Sequence, residues 1–142
     1  MKRVCILIVA VIAIGLTGCA AGRHVSIDAK DWRMATVQSG EKGEVVACTS
    51  GYGDVYTDAE ILELTCWAAD GGLVLHDLTN DRSYTGAYSR NKTSSEDTMY
   101  DITIGKTIGY AITGLTTFQD GTQAATFIIQ IGAYTLNFVA GK

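Results

Sequence analysis

The chain contains no proline. Any strand at the edge of a sheet must therefore be protected by charge, by a bulge or by closure of the sheet, because no residue in it simply lacks an N–H donor. Lys and Arg are missing between Lys42 and Arg82, an interval that holds Glu44, Asp54, Asp58, Glu60, Glu63, Asp70, Asp77 and Asp81. With 11 basic against 15 acidic side chains and a formal charge of −4, the composition argues against nucleic acid as a partner and against electrostatic attachment to anionic lipid. It leaves two readings of the acidic stretch, a solvated face or a docking surface for a cationic protein.

Groups for catalysis are scarce as well. The only histidines are His24 and His76. His76 is followed by Asp77, but neighbouring residues of a strand point to opposite faces and form no local dyad. Cys48 and Cys66 supply two ligands, short of the three or four that zinc takes. Asp54, Asp58 and Glu60 lack the spacing that wraps a calcium ion. Ser50-Gly51-Tyr52-Gly53 has no following Lys-Ser/Thr and is no phosphate cradle. The expectation is a protein that is not an enzyme, with no metal and no cofactor.

Long apolar runs are absent after the first twenty residues. The one near the start, Val4 to Leu16, follows Lys2 and Arg3. As a helix it would span about 20 Å, short of the roughly 30 Å hydrocarbon core of a bilayer. A basic start, a short apolar stretch and small residues describe an export signal. The tetrapeptide that ends it, Leu16-Thr17-Gly18-Cys19, resembles the lipobox of bacterial lipoprotein precursors. The resemblance implies cleavage before Cys19, acylation of that residue, and membrane attachment through the acyl chains, each buried methylene contributing about 0.8 kcal/mol. Ala20, in place of Asp, implies sorting to the outer membrane, with the domain facing the periplasm. The expected organisation is a signal peptide over 1–18, a tether over 19–31 and one domain over 32–142. Of the four cysteines, Cys5 leaves with the leader and Cys19 carries lipid. Cys48 and Cys66 then form an even pair in an oxidising compartment, where a disulfide is expected, worth about 3 kcal/mol for a loop of this size.

From Trp32 onward the pattern is that of strands. Trp32, Met34 and Thr36 alternate with Arg33, Ala35 and Val37. Tyr84 and Tyr88 flank Gly86 on one face. Tyr100, Ile102 and Ile104 share a face, as do Ile108, Tyr110 and Ile112, then Phe127, Ile129 and Ile131, then Tyr134, Leu136 and Phe138. In the segment Thr107–Phe118 the expected core face is the isoleucine–tyrosine one, with Gly109, Ala111 and Thr113 opposite. Asp120-Gly121 marks a hairpin. Residues 58–70 are ambiguous: Thr57-Asp58-Ala59-Glu60 suits a capping box for a short helix, while Leu62, Leu64 and Cys66 alternate as a strand would, and the strand reading is favoured. Short strands spaced about ten residues apart predict an all-β fold, a small antiparallel meander closed as a barrel or folded as a sandwich.

Leu73 to Tyr84, with Asn80-Asp81-Arg82-Ser83-Tyr84 and Gly86, is loosely similar to the strand–turn–Ser-Gly-x-x-Tyr region of the lysozyme inhibitors, Asn80-Asp81 standing where those have Ser-Gly. That resemblance implies partner binding through Asp77, Asp81 and Tyr84. The leading functional expectation is a lipid-anchored envelope protein with a non-enzymatic binding or structural role. The alternatives are an inhibitor of a cationic enzyme such as lysozyme, and a small-ligand carrier with Tyr84, Tyr88, Tyr100 and Tyr110 around a cavity.

Overall fold

The computed structural model describes residues 25–29, 31–93 and 98–141; the leader and Cys19 lie outside them. The chain forms β1 (Trp32–Ser39), β2 (Glu44–Cys48), β3 (Glu60–Ile61), β4 (Leu64–Ala69), β5 (Gly72–Asp77), β6 (Arg82–Arg90), β7 (Met99–Ile104), β8 (Thr107–Thr117), β9 (Gln123–Ile131) and β10 (Tyr134–Ala140). From β4 to β10 each strand pairs antiparallel with the next, β1 pairs with β4, and β10 returns to β1. These pairings close a barrel of eight strands, and the described residues contain no helix of seven residues or more. Closure answers the missing prolines: a sheet that bonds to its own first strand leaves few free edges.

Tight turns connect the meander. Between β4 and β5 the two loop residues, Asp70 and Gly71, both have positive φ (51° and 82°), the geometry whose twist matches the flanking strands. Residues 58–70 contain β3 and β4 and no helix, so the capping-box pattern at Thr57–Glu60 is overridden by strand pairing on both sides.

The barrel is filled by side chains. Trp32, Phe127 and Phe138 form its centre, with ring centroids 5.2 Å apart for Trp32–Phe127 and 5.7 Å for Phe127–Phe138. Tyr88 meets Tyr100 edge-on at 5.9 Å. β8 corrects the expectation from its alternation. Gly109, Ala111 and Thr113 are buried, whereas Ile108 is 75% and Tyr110 52% exposed. The neighbours give the reason. Gly109 pairs with Ile102 and Ile131, Ala111 with Tyr100 and Ile129, and Thr113 with Phe127. Both flanking strands send large side chains inward at those levels, and only small ones fit between them.

Two further expectations are revised. The tether assigned to 19–31 is, from Val25 to Ala29, part of the domain. A 3₁₀ turn (Ile27–Ala29) carries Ile27 into the core at 1% exposure. The Trp32 indole N–H donates to the Ile27 carbonyl at 2.7 Å, and the Thr113 hydroxyl donates to the Val25 carbonyl. The disulfide is not formed; Cys48 and Cys66 are buried free thiols. Cys66 pairs with Trp32 and Cys48 with Thr36, along the same edge of β1. Four residues of strand separate those levels by roughly 12 Å, about twice the Cα spacing a disulfide spans. Burial pushes the Cys66 thiol up to about 12 and raises that of Cys48.

β1 also carries a bulge. Met34 pairs with Phe138 and Thr36 with Asn137, leaving Ala35 as the extra residue. Beyond it the parity reverses: Val37 pairs with the buried Leu136. Thr36, Gln38 and Asn137 are then brought together and buried. The Asn137 amide donates to Thr36 Oγ1 at 3.0 Å and to Gln38 Oε1 at 2.9 Å, and Gln38 donates to the Gly43 carbonyl at 3.1 Å. With each group partnered, burial of this polar trio holds the altered register in place.

Candidate functional site: the open end of the barrel

The two ends of the barrel differ. The chain enters at the end of β1 marked by Trp32, where the 3₁₀ turn packs against β4 and Ile27 joins the core cluster. The opposite end gathers the loops β1–β2, β5–β6, β7–β8 and β9–β10, as the antiparallel registers require. There the wall is wider. β1 pairs with β4 only at Trp32 and Arg33; from Thr36 to Ser39 the same edge pairs with β2. β2 pairs in turn with β3, whose chain continues through Leu62 into β4, and the Leu62 N–H donates to the Cys48 carbonyl at 2.9 Å. β2 is thus a wedge in the upper half of the wall alone, and the barrel flares toward that end.

A cavity of about 580 Å³ opens in the flare. Val37, Leu64, Leu75, Ile104, Ile131 and Leu136 line it, and Tyr84 and Tyr134, 43% and 51% exposed, stand among its walls. Asp77 is its one ionisable carboxylate, and no Lys or Arg takes part. An apolar bowl with few polar groups is the usual chemistry of a small-ligand site.

Of the three residues expected to meet a partner, Asp77 and Tyr84 both line this cavity and Asp81 does not. Asp77 is buried at 6% exposure. Its Oδ1 accepts the backbone N–H groups of Thr79 and Asn80, each at 3.0 Å, and its Oδ2 accepts the Asn80 side-chain amide at 2.8 Å. That amide, followed by the two backbone N–H groups, holds the carboxyl below its ordinary range. Asp77 therefore shapes the β5–β6 turn. Asp81 sits in that turn at φ 52° and is exposed. Tyr84 pairs with Leu75 and lines the cavity. Of the other tyrosines named for a cavity, Tyr88 and Tyr100 pack on each other and Tyr110 is on the outside. His76 pairs with Thr65 and Ser83 on the two flanking strands. Among the described residues no cluster of three or more His, Cys, Asp or Glu is placed to hold a metal.

Sequence reasoning missed the flare. Val37 and Leu64 read as positions in alternating strands, and nothing local says that β2 occupies half the height of the wall. The available signal was the loop from Thr49 to Ala59 between two very short apolar segments, which places a strand break there.

These features define a closed, antiparallel eight-strand β-barrel, plugged at one end and open at the other. Comparison with protein-family models, with curated proteins and with solved structures finds no match. Among the described residues no helix is long and apolar enough to cross a membrane.

Proposed function

We propose that the chain is a non-enzymatic envelope protein, held to the membrane by acyl chains on Cys19, whose barrel takes a small apolar ligand at its open end. One observation carries the binding part: the chain enters at the plugged end, while the other end flares into an apolar cavity without a cation. The polarity suits an anchored protein. Only a few residues separate Cys19 from Val25, so the plugged end stays near the bilayer and the cavity faces away from it. An uncharged or weakly polar molecule fits the lining best, since an anionic head group would find the Asp77 carboxylate and no Lys or Arg among the lining residues.

Two measurements test this on the full chain purified from membranes in detergent. Intact mass is expected to show cleavage before Cys19 and a diacylglyceryl adduct; an unmodified Cys19 overturns the anchor. Titration with the uncharged fluorophore N-phenylnaphthylamine is expected to saturate at one site and to weaken at least fivefold in Ile104→Arg, the fold being checked by circular dichroism. Saturation unaffected by that substitution, or none at all, overturns the cavity as the binding site.

A further inference from the structure

A second depression lies on the outside of the wall, at the fork where β1 leaves β4 for β2. It encloses about 770 Å³ and is walled by β1 at Arg33–Ala35, by Glu63 and Thr65, by Tyr52, and by the β8–β9 hairpin at Phe118 and Asp120. Leu64 is the single residue it shares with the barrel cavity.

Its chemistry is unlike that of the cavity. Arg33 pairs with Thr65, so Glu63, two residues earlier, lies diagonally across on the same side of the wall, a separation of roughly 7–8 Å between backbones. The Glu63 carboxylate is held rigidly. Thr49 Oγ1 donates to its two oxygens at 3.0 and 2.8 Å, and the Ser50 N–H donates at 2.8 Å. Those bonds, the Ser50 N–H first, keep it ionised below the ordinary range. Arg33 is exposed and makes no hydrogen bond or ion pair within the described residues; its Nε and Cδ lie beside Gly141. A fixed acceptor and an exposed planar donor thus stand on the same side of the wall, the charge of Arg33 helping to lower the Glu63 carboxyl. Tyr52 and Phe118, both half-buried, add aromatic surface to the same walls.

We infer that this outer groove binds a short stretch of glycan, with a sugar unit bridging Arg33 and Glu63 and its C–H face against an aromatic ring. A sugar hydroxyl both donates and accepts, so one unit can satisfy the guanidinium and the carboxylate together. The groove crosses β10, β1 and the start of β4, about 10–14 Å at the spacing of strands, the reach of two or three linked hexoses. A peptide could offer the same polar groups, but its N–H and C=O lie in one plane and give the rings no broad C–H face. This site is independent of the apolar cavity.

The test is calorimetric titration of the full chain in detergent with the β-1,4-linked trimer of N-acetylglucosamine, with maltotriose, and with triglycine. Saturable binding of at least one trisaccharide is expected. It should weaken fivefold or more in Arg33→Ala and in Phe118→Ala and stay unchanged in Ile108→Ala on another part of the wall. Melting curves of the variants report whether they fold, and Arg33→Lys, which keeps charge without the planar fork, should recover only part of the affinity. No saturable sugar binding, sugar binding insensitive to Arg33→Ala, or binding of triglycine alone overturns the inference. Failure of the fluorophore titration leaves it untouched, because the two sites share no polar group.

Discussion

Two glycines in the barrel wall should resist even a methyl group. A Cβ on Gly86 would lie 2.3 Å from the Thr103 carbonyl oxygen and 3.2 Å from a side-chain carbon of Ile104; one on Gly109 would lie 2.2 Å from the Gln130 oxygen and 3.1 Å from two carbons of Ile131. An ordinary carbon–oxygen contact is more than 3 Å, so each strand or its neighbour must give by about 1 Å. The offending atoms are backbone oxygens of the adjacent strand, and no rotamer moves them aside. Both glycines sit where a closing sheet bends sharply and a neighbouring backbone crosses close by. Overpacking of a rigid interior costs about 1–3 kcal/mol, and a backbone clash belongs at the upper end. Ala also restricts the unfolded chain, which returns up to about 1 kcal/mol. Gly86→Ala and Gly109→Ala should therefore each lose about 2 kcal/mol, a large share of a margin of about 5–15 kcal/mol, and lower the melting temperature by roughly 5–10 °C. Gly51→Ala is the control: a Cβ there meets nothing within 4 Å and φ is not positive, so it should be neutral or slightly stabilising. Urea unfolding followed by circular dichroism, with the slope unchanged between variants, reads the difference directly. If the two wall variants unfold at the same denaturant concentration as Gly51→Ala, the wall is not as tightly bent as described.

Removing the Asn137 amide in Asn137→Leu leaves Thr36 and Gln38 buried without their donor, and should cost about 2–3 kcal/mol in the same unfolding assay; an unchanged midpoint would show that the polar trio does not secure the bulge. The Cys66 thiol, raised to about 12 by burial, favours the protonated form when folded. Its contribution is fully present below the unfolded thiol range of about 8.5 and is lost as pH rises from there through about 12. Wild type should thus lose stability more steeply than Cys66→Ala over that alkaline window, and Cys66 should react with Ellman's reagent only on unfolding; reaction in the native state refutes its burial. Glu63 runs the other way: its folded value is lowered, so its contribution is present above the ordinary carboxylate range and is lost as pH falls through the folded value. Stability measured between pH 6 and 3 should fall less in Glu63→Gln than in wild type, and parallel curves would remove Glu63 as an anchor of the Thr49–Ser50 segment.

The sequence alone determined that this is an antiparallel β protein, because period-two alternation and paired turn residues are local signals. Tyr84 with Tyr88, Tyr100 with Ile102, and Phe127 with Ile129 share faces as their spacing says, and Asp120-Gly121 lies in the hairpin loop between β8 and β9. Alternation groups the residues of a strand into two faces without saying which one the barrel encloses. On β8 the smaller set went inside because Tyr100, Phe127 and Ile129, on the strands either side of it, fill the space opposite. The same limit hid the bulge at Ala35, which turned Thr36 away from the Trp32–Met34 face, and with it the wide separation of Cys48 from Cys66. The open end and the outer groove depend on a wedge strand that parts β1 from β4, a relation among three segments. Side-chain period is written in consecutive residues; volume and register are settled only when strands from across the chain compete for one enclosed space.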